Sequence, residues 1–117
     1  LPKFTLSQHN RLNKKESFDF LFNEGKKNIS PTFILYACPK QFTDQNTAFI
    51  ASKKMGNAVL RNKCKRKLKE IMRLSQHHIH KQFDIVLIAR KSLLTTPFDE
   101  CCEQFITSLQ ELSVYID

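Results

Sequence analysis

The stretch Ser52–Arg73, SKKMGNAVLRNKCKRKLKEIMR, holds nine of the chain's nineteen lysines and arginines and a single acid, Glu70. The ten bases outside it are matched by ten acids, so the whole formal charge of +8 resides in this segment. Gly56-Asn57 reads as a turn followed by an N-cap. The Asn57 side chain can accept a hydrogen bond from a first-turn N–H that a helix leaves unpaired, which starts a helix at Ala58. At about 100° per residue, Leu60, Cys64, Leu68, Ile71 and Met72 share one arc. Asn62, Lys65, Arg66, Lys69 and Arg73 cover the far side, Arg61 lies near the border, and Lys63 and Lys67 fill most of the rest beside Glu70. A surface helix ordinarily gains from i,i+4 acid–base pairs. Here the bases repel one another, a cost that a bound polyanion relieves.

On the N-terminal side, Thr47–Ser52 (TAFIAS) is a strand that feeds into this segment through Lys53-Lys54. Before it come a polar hairpin loop over Pro39–Asn46 and a strand over Thr32–Cys38 (TFILYAC), rich in β-branched and aromatic residues. Alternation puts Ile34, Tyr36 and Cys38 on one face and Phe33, Leu35 and Ala37 on the other. Both faces are apolar, which predicts a central strand. Lys26-Lys27-Asn28 is a polar connector able to pair as a short edge strand. Asn13-x-x-Glu16 resembles a capping box that opens a helix over about Lys14–Glu24, stopped by Gly25. Phe18, Leu21 and Phe22 fall on one side of it; Leu21, with Phe20, reads as plain core, and Phe18 and Phe22 read either as core or as faces on which bases stack.

On the C-terminal side, Gln76-His77-His78-Ile79-His80 reads as a solvated helix end rather than a metal site, because neighbouring His77 and His78 point apart on a helix and no acid or Cys adjoins them. Phe83–Ala89 (FDIVLIA) is a strand buried on both faces. Thr96-Pro97 opens the last helix, with Thr96 as N-cap, Pro97 at the first helical position, and Asp99 and Glu100 at the positive end of its dipole. Its apolar stripe is Phe98, Cys101 or Cys102, Phe105, Ile106, Leu109 and Leu112, which covers the core.

At 117 residues and 41% hydrophobic content, with ten Phe, the chain is expected to be one domain, residues 1–117. No apolar run approaches the roughly 18–20 residues a membrane span needs. LPKFTLSQHN has no apolar h-region, so no signal peptide is expected. Cys38, Cys64, Cys101 and Cys102 form no C-x-x-C pair, which suits a reducing cytoplasm. No Ser/His/Asp order or H-E-x-x-H is present, and His9 with His77 or His80 makes only a weak acid–base pair, so no protein-borne catalytic residue is assigned.

The basic segment resembles the signature of the protein subunit of bacterial ribonuclease P, a motif close to SKKxGNAVxRNxxKRxxRE. Ser52, Lys53, Lys54, Gly56, Asn57, Ala58, Val59, Arg61, Asn62, Lys65, Arg66 and Glu70 match it letter for letter. Lys63 and Lys69 stand where the family has arginine, and Ile50 where it usually has a small polar residue. The family's Arg-Leu followed by F-x-x-x-F is matched by Arg11-Leu12 with Phe18 and Phe22, and its Ala-Arg at the end of a strand by Ala89-Arg90.

The element pattern and the resemblance together imply an α+β sandwich, ribosomal protein S5 domain 2-like. It has one mixed sheet of about four strands and three helices in the order α-β-β-β-α-β-α. Physics alone favours a right-handed strand–helix–strand crossover; the resemblance implies a left-handed one. It further implies the protein component of a ribonucleoprotein endoribonuclease, which removes the 5′ leader from precursor tRNA by hydrolysis with Mg²⁺ held by the RNA subunit. On that reading Lys53, Lys54, Asn57, Arg61, Asn62, Lys63, Lys65, Arg66 and Lys69 face the ribonuclease P RNA. Phe18, Phe22, Tyr36 and Arg90 line a cleft for the single-stranded leader. The expected partners are ribonuclease P RNA and precursor tRNA, with no membrane and no small-molecule substrate. Two rivals share the basic helix. A structural, ribosomal-type RNA-binding protein needs no aromatic cleft, and a membrane-surface module needs apolar residues free to enter lipid.

Overall fold

The structure, a computed structural model, describes residues 25–39 and 47–117. Four strands, β1 (Lys26–Ile29), β2 (Phe33–Pro39), β3 (Thr47–Ile50) and β4 (Phe83–Ala89), form one mixed sheet in the order β1-β2-β4-β3. β1 pairs antiparallel with β2, and β2 antiparallel with β4, so that Lys27 lies opposite Tyr36 and Tyr36 opposite Val86. β3 runs parallel to β4, with Ala48 opposite Val86. Two helices, α1 (Ala58–Ser75) and α2 (Phe98–Glu111), complete the described part, with short 3₁₀ turns at Lys53–Met55, Gln76–His78 and Lys91–Leu94. The helix expected over Lys14–Glu24 lies outside the described residues.

Parallel neighbours cannot be joined by a tight turn, and the crossover from β3 to β4 is the segment that contains α1. This crossover corrects one expectation. Pro39–Asn46 does not close a hairpin between neighbours, because β4 is inserted between β2 and β3. β4 is apolar on both faces, so only an interior position buries it, and its neighbours become β2 and β3.

One face of the sheet carries the core. Phe33, Leu35 and Leu87 are fully buried there, with Ala37, Ile85 and Ala89, beneath Cys64, Leu68, Ile71 and Met72 of α1 and Cys101, Phe105 and Leu109 of α2. Phe33 and Phe105 meet edge-on with ring centroids 6.2 Å apart. The opposite face holds a smaller cluster of Cys38, Ala48 and Val86, bordered by half-buried Tyr36, Ile50 and Ile88. A sheet apolar on both faces thus divides its side chains by alternation alone.

The α2 end closes in a Schellman motif. Ser113 takes φ 61°, its N–H bonds to Gln110 O at 3.1 Å and the Val114 N–H to Leu109 O at 2.9 Å. The tail then pairs with the segment after α1. His80 N donates to Val114 O at 2.7 Å and Ile116 N to His78 O at 2.8 Å. His78 is therefore no solvated helix end: its ring stacks on Tyr115 at 4.9 Å, and its Nδ1 lies 2.9 Å from Ile116 O. Nor do His77 and His78 point apart, since their ring centroids are 4.0 Å from each other.

Gly56 joins the Lys53–Met55 turn to α1 at φ 120°, in the region that L side chains rarely adopt. A Cβ there would also meet Leu60 Cδ1 at 2.6 Å, but that is the tip of a partly exposed side chain which can swing away. The cost of a substitution is therefore chiefly that of the backbone. Gly56→Ala is expected to destabilise the fold by about 1–3 kcal/mol, measured by urea unfolding; an unchanged midpoint would mean the backbone relaxes freely.

Candidate nucleic-acid interface

The parallel β3–β4 pair brings two C-terminal strand ends to the same end of the sheet, since Ile50 lies opposite Ile88. From β3 emerge Lys53 and Lys54, then Gly56, Asn57 and the start of α1; from β4 emerge Arg90 and Lys91. Met55 N bonds to Ser52 O at 3.0 Å and Gly56 N to Lys53 O at 3.1 Å, which folds the two lysines into a tight exposed turn. Asn57 caps α1 as expected, its Oδ1 accepting from Leu60 N–H at 3.0 Å. No acid occupies the first turn of α1. The first turn thus brings no carboxylate of its own to the positive end of the helix dipole, a condition suited to an anion.

Along α1, Asn62, Lys63, Lys65 and Arg66 are exposed, while Arg61 and Lys69 are half-buried. Arg61 Nε is buried without a hydrogen-bond partner. Arg73 and Lys67 are engaged by groups of the protein itself. Arg73 forms a bidentate pair with Glu70, Nε donating to Oε1 at 3.0 Å and Nη2 donating to Oε2. The hydrogen bonds from Arg73 hold the Glu70 carboxyl below its usual range. Lys67 turns inward, its Nζ donating to Leu93 O and Thr96 O, each at 2.6 Å. Thr96 does not cap α2 as the sequence implied. Pro97, expected at the first helical position, takes the N-cap place with its carbonyl accepting from Cys101 N–H at 3.1 Å, and Thr96, one residue earlier, donates its hydroxyl to Ser92 O at 2.7 Å.

The other surface is the sheet face opposite the helices. Alternation along β4 puts Val86, Ile88 and, beyond the strand end, Arg90 on this side. Tyr36 is half-buried there, opposite Val86, with the Lys27 ammonium 6.0 Å from its ring centroid. Arg90 is exposed, and its guanidinium donates one hydrogen bond, to Ser30 O at 2.9 Å, while its N–H bonds to Thr32 O at 3.0 Å. Val86 and Arg90 are four residue steps apart, a span of about 13 Å or two to three nucleotides of extended chain. Tyr36 and Arg90 therefore share one face; Phe18 and Phe22 lie outside the described residues. Lys27 and Lys91 are bases the sequence reading missed. Lys27 was legible only once its register with Tyr36 was known.

Among the described residues no group of three His, Cys, Asp or Glu side chains could hold a metal ion. The lone acid of the basic helix is committed to Arg73. The donor set that the described residues offer here is thus cationic, which suits phosphate. Asp84, buried at 1% exposure, lies opposite Cys38 on the second sheet face. Burial, with the nearby Asp84 carboxylate, pushes the Cys38 thiol up to about 11.

A basic helix that starts beside the C-terminal ends of a mixed sheet, with an aromatic and an arginine on the open face, defines a class of α+β nucleic-acid-binding proteins. The model of the family Ribonuclease P matches residues 6–113. The ribonuclease P protein component of Bacillus pumilus is 29% identical over 111 residues, covering 94% of this chain and 93% of that protein. That of Desulfatibacillum aliphaticivorans is 34% identical over 104 residues, 89% of this chain and 81% of its own. The ribonuclease P protein of Staphylococcus aureus superimposes with a TM-score of 0.77 at 29% identity, covering 92% of this chain and 98% of that one. The Thermotoga maritima protein gives 0.74 at 30% identity, covering 86% and 96%. The chain belongs to the ribonuclease P protein family.

Two outcomes follow from this geometry. Asn57→Ala should cost about 1 kcal/mol in urea unfolding through loss of the cap, and no loss would show that another group satisfies the Leu60 N–H. The raised thiol pKa means the folded state holds the Cys38 proton more tightly than the unfolded chain. Its stabilising contribution is complete below pH 9.0 and is lost as pH climbs toward about 11. Thermal unfolding between those values should be less pH-dependent in Cys38→Ala; identical profiles would remove Cys38 as the cause.

Proposed function

We propose that this chain is the protein component of a ribonuclease P ribonucleoprotein, which removes the 5′ leader of precursor tRNA by endonucleolytic hydrolysis. The observation that carries the reading is the junction at one end of the sheet. There the acid-free first turn of α1, the exposed bases of that helix and Arg90 meet, with Tyr36 farther along the open face. On this reading Lys53, Lys54, Asn57, Arg61, Asn62, Lys63, Lys65, Arg66 and Lys69 contact the RNA subunit. Arg90 and Tyr36, with Phe18 and Phe22, take the single-stranded leader, where aromatic faces stack on bases with little regard to sequence.

The chemistry rests with the RNA subunit and its Mg²⁺, while the protein's interface offers donors for phosphate. The protein lowers the electrostatic cost of bringing two polyanions together, and each phosphate neutralised releases counterions. Catalysis therefore belongs to the holoenzyme. A cytoplasmic location fits the four unpaired thiols, and no helix among the described residues is long and apolar enough to cross a membrane. A ribosomal-type role without cleavage is not favoured, since the relatives just described are ribonuclease P protein components.

The first test is cleavage of precursor tRNA at low Mg²⁺ by a bacterial ribonuclease P RNA, with the protein, without it, and with protein alone. The expected result is strong enhancement that requires the RNA. Binding without any gain in cleavage would overturn the reading in favour of a structural RNA-binding protein. Within it, Arg66→Ala should flatten the salt dependence of RNA affinity by roughly one unit of log–log slope, the share of one lost phosphate contact. An unchanged slope would remove that face of α1 from the interface.

A further inference from the structure

Lys67 lies within the basic segment but contributes its charge elsewhere. On the α1 wheel it stands about 40° from Ile71, which is fully buried, so its stem runs along the edge of the core. Its ammonium meets the carbonyls of Leu93 and Thr96 at 2.6 Å each. These carbonyls flank the end of the Lys91–Leu94 turn, beside the fully buried Leu93 side chain. A backbone carbonyl in such a place needs a donor, and Lys67 supplies the charged one, with the weak Cys101 thiol also directed at Thr96 O at 3.8 Å. The same turn is tied to the sheet end on its other side. Leu93 N bonds to Arg90 O at 3.0 Å, the Ser92 hydroxyl donates to Pro31 O, and the Arg90 guanidinium reaches Ser30 O at 2.9 Å. A continuous set of hydrogen bonds thus leads from the middle of α1 to Arg90.

We propose that Lys67 is a positioning residue that fixes Arg90 and Lys91 relative to the exposed bases of α1. The protein thereby presents its two RNA-binding surfaces in one rigid register. The inference rests on the function proposed above, in which α1 holds the RNA subunit and Arg90 the leader. Two sites on a rigid body act as a linked pair whose effective concentration depends on the stiffness of what joins them. Displacement of a positioning group by about 1 Å can cost up to 10²-fold in such an assembly. Lys67 then adds nothing to the count of neutralised phosphates and acts on the advantage a leader confers.

The test uses the holoenzyme reconstituted with ribonuclease P RNA. In Lys67→Met the salt slope for RNA-subunit binding and the affinity for mature tRNA should stay as in the wild type. The preference for precursor over mature tRNA should fall about 10-fold. Lys67→Arg, which can still donate to both carbonyls, should retain most of that preference. In a double-mutant cycle with Arg90→Ala, the combined loss should be smaller than the sum of the single losses. A slope flattened by about one unit would make Lys67 a phosphate ligand and overturn the proposal. Equal losses for precursor and mature tRNA, or full additivity with Arg90→Ala, would overturn it as well. Should circular dichroism show that Lys67→Met fails to fold, Thr96→Ala is the milder lesion of the same turn. It should give the same leader-specific loss, and its absence would count against the proposal. A wild-type holoenzyme with no preference for precursor would instead remove the underlying function, an outcome visible before any variant is made.

Discussion

The structure depends on holding a like-charged helix against an apolar sheet. Arg61–Lys65, Lys63–Lys67, Lys65–Lys69 and Lys69–Arg73 are i,i+4 pairs of equal sign, each unfavourable by about 0.2–0.5 kcal/mol. Against them stand Cys64, Leu68, Ile71 and Met72, all at 0–1% exposure. A fully buried Leu, Ile or Met contributes about 1.5–3 kcal/mol. Packing wins by several-fold, so the fold can tolerate a helix whose outer face is left for a partner. The contrast with α2 supports this. That helix carries Asp99 and Glu100 in its first turn and neutralises its own dipole, whereas α1 starts with no acid at all. One helix neutralises its dipole with carboxylates of its own first turn, and the other leaves its first turn open to an anion.

Topology then decides where that anion sits. A parallel β3–β4 pair must place both of its C-terminal ends together, and a helix leaving one of them starts at the same end of the sheet. Lys53, Lys54, Asn57 and Arg90 are distant in sequence but share this end because of one strand pairing. The two faces of the sheet divide the labour further. The Phe33–Leu35–Ala37 face is committed to the helices, and the Tyr36 face keeps partly exposed aromatic and aliphatic surface next to Arg90.

What was legible in the sequence was local. The bounds of α1 follow from the Asn57 cap and a period of 3.6, both of which act within one or two turns, and β4 was fixed by a run of seven residues. What was not legible depends on groups far apart in the chain. The insertion of β4 between β2 and β3 is a pairing over some forty residues or more, which the pattern of either partner leaves open. Thr96 had the right residue type for a cap, but α2 starts one residue later than its Thr-Pro pair implied, which puts Pro97 at the cap position. His78 looked solvated because its partners, Tyr115 and the Ile116 carbonyl, arrive with the tail. Of the candidate leader residues, Tyr36 and Arg90 fall on one face, as strand alternation requires, while Phe18 and Phe22 lie outside the described residues.

The same distinction governs how charge should be counted in such a protein. Lys63 and Lys67 are four residues apart, chemically identical and both beside Glu70 on the wheel. Lys63 is exposed, and Lys67 satisfies two carbonyls. The difference comes from about 40° of helix rotation and from the two carbonyls that the turn presents to Lys67. Arg73 is likewise withdrawn by Glu70. Lys67 and Arg73 are thus two of the segment's nine bases whose charge is already used within the protein. A lysine whose partners are backbone carbonyls releases no counterion when RNA arrives. The net charge of +8 therefore sets the long-range field that attracts a polyanion, while a base already bound to carbonyls or a carboxylate of its own chain adds to that field without being open to a phosphate contact.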